Sequence, residues 1–207
     1  MVNLKNWAQK INIHLTQAQL EQFHLYAKTL VQWNKKMNMT RITSPQDIEI
    51  KHFFDSLALI PFIKKLKHKS ILDVGSGGGF PGIPLSIVLP DTTFTLLDAS
   101  RKRIHFLKYV SHLLGTQHIH VCCNRLESFT PDTNFDIIIS RAFSDISSFS
   151  NLSKQFLDVS GRIIAMKGQY VYDELKKFDA SNYIVTIKSY DLPVINQKRY
   201  LVMLALK

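Results

Sequence analysis

One short segment constrains this chain more than any other feature: an apolar run that ends in an acid, a glycine cluster, and then a helical pattern. It reads Ile71-Leu72-Asp73-Val74-Gly75-Ser76-Gly77-Gly78-Gly79-Phe80-Pro81-Gly82. Four of the five positions from Gly75 to Gly79 are glycine. Glycine lets a backbone turn sharply and lets a ligand approach it closely. In an open parallel sheet, ligands sit at the carboxyl ends of the strands. The residues that follow fit such a sheet. β-rich runs at Ser70–Val74, Thr93–Asp98, Ile119–Cys123, Phe135–Ser140 and Arg162–Met166 alternate with helical patterns. The helical stretches are Pro84–Leu89, Arg101–Leu114, Ile146–Leu157 and Tyr170–Phe178. This alternation predicts an α/β fold with a mostly parallel sheet. The last two runs, Tyr183–Tyr190 and Arg199–Leu206, have only a short loop between them. They predict an antiparallel hairpin closing the sheet.

The first third reads differently. Thr16-Gln17-Ala18-Gln19 has the form of a capping box, and Leu20, Phe23, Ala27, Leu30 and Val31 follow at helical spacing to about Met37. Ser44-Pro45-Gln46-Asp47 is a second start signal, and the stripe after it is expected to end at Pro61. The basic connector 64–69 divides a helical extension, 1–69, from an α/β domain, 70–207. Charge divides at the same place. The chain carries a net +10 over 207 residues, and residues 1–69 hold 11 basic against 4 acidic side chains. That points to a polyanion partner for the extension, although a solvated helical face would look the same.

No apolar stretch approaches the ~20 residues that span a bilayer, and the N-terminal residues carry no apolar signal core. No membrane association is expected. The two cysteines, Cys122 and Cys123, are adjacent, so they make neither a disulfide framework nor a zinc site. The eight histidines show no metal spacing, and no metal is expected. A reducing cytoplasm fits.

Three ligand classes compete for the glycine loop. A Walker loop needs Gly-Lys-Ser/Thr, and Gly79 is followed by Phe80-Pro81. A dinucleotide fingerprint counted from Gly75 and Gly77 meets Phe80 at its third position. Counted from Gly77 and Gly79 it meets Gly82, so spacing leaves that class open. Asp73 weighs against it, because a carboxylate there would repel a pyrophosphate. It would suit a cationic ligand such as S-adenosylmethionine, which has an ammonium, a sulfonium and no phosphate. Asp98, at the end of the second strand, can accept from both ribose hydroxyls, as in nicotinamide enzymes; it could equally be a turn or cap aspartate. After the third strand, Asn124-Arg125-Leu126-Glu127 would face an adenine ring, with Leu126 against its face.

With these residues in place, the segment Asp73 to Pro84 resembles the glycine motif of the RsmG/GidB family of bacterial ribosomal RNA methyltransferases. Trp33-Asn34, Asn38-Met39-Thr40, His52 with Asp55-Ser56-Leu57, Lys102-Arg103 with Phe106-Leu107, Arg125 with Glu127, Ser140-Arg141-Ala142-Phe143 and Lys167-Gly168 agree with family signatures in family order. Met39 departs from a common Leu. The resemblance implies a class I, Rossmann-like methyltransferase fold with an N-terminal helical extension. It implies S-adenosyl-L-methionine as cofactor, with contacts at Gly75, Phe80, Leu126, Glu127 and Arg141, to which the residue reading adds Asp73, Gly77 and Asp98. It also implies transfer to N7 of a guanine in 16S ribosomal RNA of the small subunit. A monomer is the expected state.

The residues are compatible with that chemistry. Guanine N7 has an in-plane lone pair and no proton, so positioning carries most of the catalysis. The Asn/Asp-Pro-Pro-aromatic motif of amine methyltransferases and the Pro-Cys of cytosine-C5 enzymes are missing, and Cys122 and Cys123 read as core packing. Arg141, just past the fourth strand, is the candidate positioning residue. It could pair with the cofactor carboxylate, donate to guanine O6, or make an ordinary surface salt bridge. Phe143 is expected either to stack on a base or to be core, and Lys167 either to meet phosphate or to have no ligand role. Lys28, Lys35, Lys36, Arg41 and Lys51 are candidate phosphate contacts. His52 and Asp55 read as a helix-surface pair without an assigned role. A methyltransferase with another substrate, a dinucleotide oxidoreductase and a non-catalytic RNA binder remain as alternatives.

Overall fold

A computed structural model describes residues 1–207 except Lys67, Ala142 and Ser144, and of Val2 the backbone alone. The chain opens with α1, Val2–Lys10, and α2, Gln17–Met37. The capping box at Thr16 is present, with Gln19 N donating to Thr16 Oγ1 and Thr16 N donating to Gln19 Oε1. α1 has no strong sequence signal. It forms because Leu4 and Ala8, one turn apart, are fully buried and Leu4 N donates to Glu49 at 3.0 Å.

Ser44 caps α3, Pro45–Ile48, which runs into a π-helical turn, Glu49–Phe54, and then α4, Asp55–Leu57. Such π turns are rare and often mark functional sites. Pro61 does not end this region as the pattern suggested. It sits in the first turn of α5, Ile60–Ile63, where a missing N–H costs nothing.

The remainder alternates: β1 Ser70–Val74, α6 Gly82–Val88, β2 Thr93–Leu97, α7 Arg101–Leu113, β3 Ile119–Cys122, β4 Phe135–Ser140, α8 Ile146–Ser153, β5 Leu157–Lys167, α9 Val171–Leu175, β6 Tyr183–Leu192 and β7 Gln197–Leu206. The sheet order is β3-β2-β1-β4-β5-β7-β6. The first five strands are mutually parallel; β7 inserts antiparallel between β5 and β6. β5 starts at Leu157, earlier than its apolar run.

The compositional break at 64–69 is not a gap in packing. One buried cluster joins Leu4, Phe23, Tyr26, Phe53 and Leu57 to Phe80, Phe106, Ile164 and Leu201. A second, including Leu72, Leu97, Leu126, Phe149 and Val202, completes the core. Of the two cysteines expected to pack in the core, Cys122 does so in part, against the second cluster. Cys122 is half-buried at the end of an edge strand, and Cys123 lies past it and is exposed.

Candidate active site

The glycine loop is held from three sides. Gly75 N and Ser76 N donate to Leu97 O at 2.8 and 3.1 Å, which ties the loop to β2. Gly77 N donates to Asp98 Oδ2 at 2.9 Å, and the buried hydroxyl of Tyr26 on α2 donates to Gly78 O. Gly75, Gly77 and Gly79 have φ of 71°, 59° and 94°, a region that disfavours side chains.

Asp73 is fully buried beneath this loop. Its Oδ2 accepts from Gly82 N at 2.9 Å, while Oδ1 has no hydrogen-bond partner among the described residues. Burial pushes its carboxyl from 3.8 up to about 7. A buried acid with one unmatched oxygen and a raised pKa is short of positive charge. That fits a cationic ligand such as S-adenosylmethionine and disfavours a pyrophosphate. The sign of the linkage follows. The folded pKa exceeds the unfolded one, so this group erodes stability as pH rises from about 4 to about 7 and no further above that. A cation bound beside Asp73 restores the carboxylate and expels a proton. Calorimetry of S-adenosylmethionine binding near pH 6.5, in buffers of different ionisation enthalpy, should give different heats; equal heats would take Asp73 out of the cofactor site.

Asp98 is 4% exposed. It serves the loop and the next helix together, accepting from Gly77 N, from Ser100 N at 2.8 Å and from Arg103 at 3.2 Å. Leu126 is buried in a 3-10 turn, Leu126–Ser128, and Glu127 is exposed beside it. Phe80 is buried, with its ring between Tyr26 (centroids 5.3 Å apart) and His52 (4.1 Å, planes 8° apart). This stack surrounds the ring, and Phe80 N donates to Ser76 O at 2.9 Å inside the glycine loop.

Arg141 is not a surface salt bridge. Its Nη1 donates to Lys51 O at 3.0 Å and approaches Asp55 Oδ2 at 3.5 Å. Its Nη2 lies 3.1 Å from His52 Nδ1, and its Cζ is 5.0 Å from the centre of the Phe80 ring. His52 and Asp55 are 4% and 2% exposed, so they are no helix-surface pair. Asp55 also accepts from Tyr190 Oη at 2.7 Å and faces Arg199 Nε at 3.7 Å. Burial first, and the Arg141 charge second, push the His52 imidazole from 6.5 down to about 3.

These groups line a cavity of about 330 Å³ between the extension and the carboxyl ends of β4 and β5. Lys51, Arg141, Lys167 and Arg199 supply its cations; Asp55 is the one carboxylate among its described lining residues. Lys167 is 8% exposed, donates to Phe143 O at 3.1 Å and pairs with Glu174 at 2.7 Å. The Phe143 ring packs on Phe149 at 5.1 Å, half-buried against the core. Its neighbour Ala142, quoted in the Ser140–Phe143 signature, lies outside the described residues. Lys35, Lys36 and Arg41 are exposed, and Arg41 precedes Ile42, which lines the cavity. Tyr190 and Arg199 have no sequence signal. They stand opposite each other in the β6–β7 register, which brings both to Asp55. Among the described residues, no three His, Cys, Asp or Glu could hold a metal, and no helix is long and apolar enough to cross a membrane.

A model of the GidB family, described as "rRNA small subunit methyltransferase G", matches residues 19–202. The chain belongs to this family. A Geotalea uraniireducens protein named "Ribosomal RNA small subunit methyltransferase G" is 40% identical over 204 residues, covering 95% of this chain and 92% of that protein. A relative of the same name from Pseudomonas syringae pv. tomato is 36% identical over 97% of this chain and 94% of its own length. Among solved structures, a SAM-dependent methyltransferase from Aquifex aeolicus aligns with TM-score 0.62 at 15% identity, over 83% of this chain and 98% of its own. One from Thiobacillus denitrificans, in complex with S-adenosyl-L-homocysteine, aligns with TM-score 0.56 at 16% identity, over 74% and 91%. The architecture is the class I methyltransferase fold. Membership in the family sets aside the dinucleotide oxidoreductase.

Proposed function

We propose that the protein transfers a methyl group from S-adenosyl-L-methionine to N7 of a guanine in 16S ribosomal RNA of the small subunit. The observation that carries this reading is the protonation chemistry of the cavity. His52 has both ring nitrogens engaged and is held neutral, and Asp55 is taken by Tyr190 and two guanidiniums. With both nitrogens engaged, His52 has no lone pair free to take a proton, and N7 has none to give. The cofactor, when bound, supplies a methyl on a positively charged sulfur; the chain supplies position. Gly75, Gly77, Asp98, Leu126 and Glu127 would hold the cofactor, with Asp73 beneath it and Arg141 at the boundary with substrate. Methylation leaves the base positively charged, and Asp55 offsets charge on that side. Lys167 and Arg199 suit the phosphates around the base.

The extension, residues 1–69, supplies RNA contacts through Lys35, Lys36 and Arg41. These fix position, not sequence. Replacing Lys35 and Lys36 together by Ala is expected to weaken binding to small subunits and to flatten its salt dependence. Two lost phosphate contacts reduce the slope of log K against log salt by about 1.4–1.8. A slope equal to wild type would place the RNA elsewhere. A cytoplasmic monomer acting on the assembled subunit or its precursor belongs to the same reading.

The test is transfer of labelled methyl to unmethylated small subunits, followed by nuclease digestion and mass spectrometry. A single 7-methylguanosine is expected. No transfer to any assembly stage would overturn the substrate assignment and leave the fold standing.

A further inference from the structure

His52 does more than fill the core. An arginine side chain only donates hydrogen bonds, so the 3.1 Å contact from Arg141 Nη2 makes His52 Nδ1 an acceptor. The ring proton then sits on Nε2, which donates to Thr40 Oγ1 at 3.0 Å. Thr40 is fixed in turn. Its hydroxyl oxygen accepts from Ile42 N at 3.0 Å, and its backbone makes two bonds, both 2.9 Å, with the buried amide of Asn34. The face of the His52 ring lies flat on Phe80, directly after the glycine loop, and the Arg141 guanidinium lies over the same Phe80 ring. One chain of contacts thus runs from α2 through Thr40 and His52 to Arg141, with the ring of Phe80 as its floor.

We propose that His52 is a positioning residue for the reaction: its Nδ1, aimed by the anchor of Nε2 on Thr40, accepts from the Arg141 guanidinium and directs it toward the cavity. The extension is then part of the active centre as well as an RNA contact. The acceptor of the Arg141 Nη1 bond, Lys51 O, comes from the same segment as His52 and fixes the plane of the guanidinium. This inference rests on the methyl-transfer reading for its kinetic test but not for its spectroscopic one.

Two substitutions separate positioning from packing. His52→Phe keeps a ring on Phe80 and removes the acceptor. His52→Asn removes the ring and places an amide oxygen where Nδ1 stands. The readouts are kcat and KM for small subunits, the Kd for S-adenosylmethionine and the melting temperature. Positioning predicts that His52→Phe loses about 100-fold in kcat, the size expected for a displacement of about 1 Å. KM and cofactor Kd should stay within about threefold. His52→Asn should recover at least tenfold of that loss despite a lower melting temperature. Wild-type kcat in His52→Phe would overturn the proposal, as would His52→Asn being no faster than His52→Phe. Should His52→Asn fail to fold, Thr40→Val decides. It keeps the ring and removes the anchor of Nε2, so the ring can turn away from Arg141 and kcat should fall; an unchanged kcat overturns the proposal.

A readout without turnover is nitrogen-15 NMR of the arginine side chains. The Arg141 Nη protons should be distinct and slowly exchanging in the wild type and should merge in His52→Phe. Identical spectra would overturn the proposal even if wild-type protein transferred no methyl to subunits.

Discussion

Asp55→Ala is expected to destabilise the protein by about 3 kcal/mol and to remove most of its methyl transfer. The carboxylate is 2% exposed and gathers Tyr190 Oη, Arg141 Nη1 and Arg199 Nε. Breaking a buried ion pair costs ~3–5 kcal/mol, because the remaining charge keeps its desolvation penalty and loses its partner. The lower end applies here. The Arg141 and Arg199 side chains retain 25% and 27% exposure, so water recovers part of the loss. Asp55→Asn preserves the shape and the bond from Tyr190 but not the charge, and should fall between the two. Urea unfolding measures the stability term, and single-turnover transfer to small subunits measures the other. A loss below about 1 kcal/mol in Asp55→Ala would show that the cluster is held by packing.

Gly82→Ala is expected to lower stability by about 2–5 kcal/mol and to weaken cofactor binding with it. α6 begins at Gly82 and presses directly on the sheet. An added Cβ would run into the side chain of Leu96 and come within 2.8 Å of Asp73 Oδ2. Over-packing a dense core costs ~1–3 kcal/mol. Withdrawing α6 also stretches the Gly82 N–Asp73 Oδ2 bond, worth ~1–2 kcal/mol more. For a chain this long, each kcal/mol moves the melting temperature by ~2–4 °C. Gly115→Ala is the control. That glycine has φ of 68° but open space around its Cβ position, so only backbone strain opposes it. A melting temperature for Gly82→Ala within error of Gly115→Ala would refute the packing argument.

Much of the fold was legible because its signals are local. The capping box at Thr16 and the cap at Ser44 are short patterns whose donors and acceptors lie within three residues. The strands β1 and β4 are apolar runs bounded where they read. α1 was not legible, because Leu4 and Ala8 mark a helix only once Glu49 and the core are there to receive it. Pro61 misled for a related reason. The residue is the same at the end of one helix and the first turn of the next, and Ala58–Leu59 decides which.

The candidate site divides in the same way. The glycine loop, Asp73 and Asp98 could be read as a ligand site because a strand, a turn and a helix start lie side by side in the chain. Arg141 could be named from its place after β4, but not its partners. Lys51, His52 and Asp55 lie 86–90 residues away from it along the chain, and Tyr190 lies 135 residues from Asp55. Whether Phe143 and Lys167 face a substrate or the protein was equally undecided, until Phe149 and Glu174 took one side of each.

By itself, the sequence determined the elements, the glycine turn and the excess of positive charge. These follow from propensity, periodicity and charge, which act over a few residues. Only the tertiary structure decided that an extension of basic helices supplies a neutral histidine and a buried aspartate to the arginine of another segment. Burial and hydrogen-bond partnership depend on which distant surfaces meet, and the same His52 on a solvated helix would hold nothing.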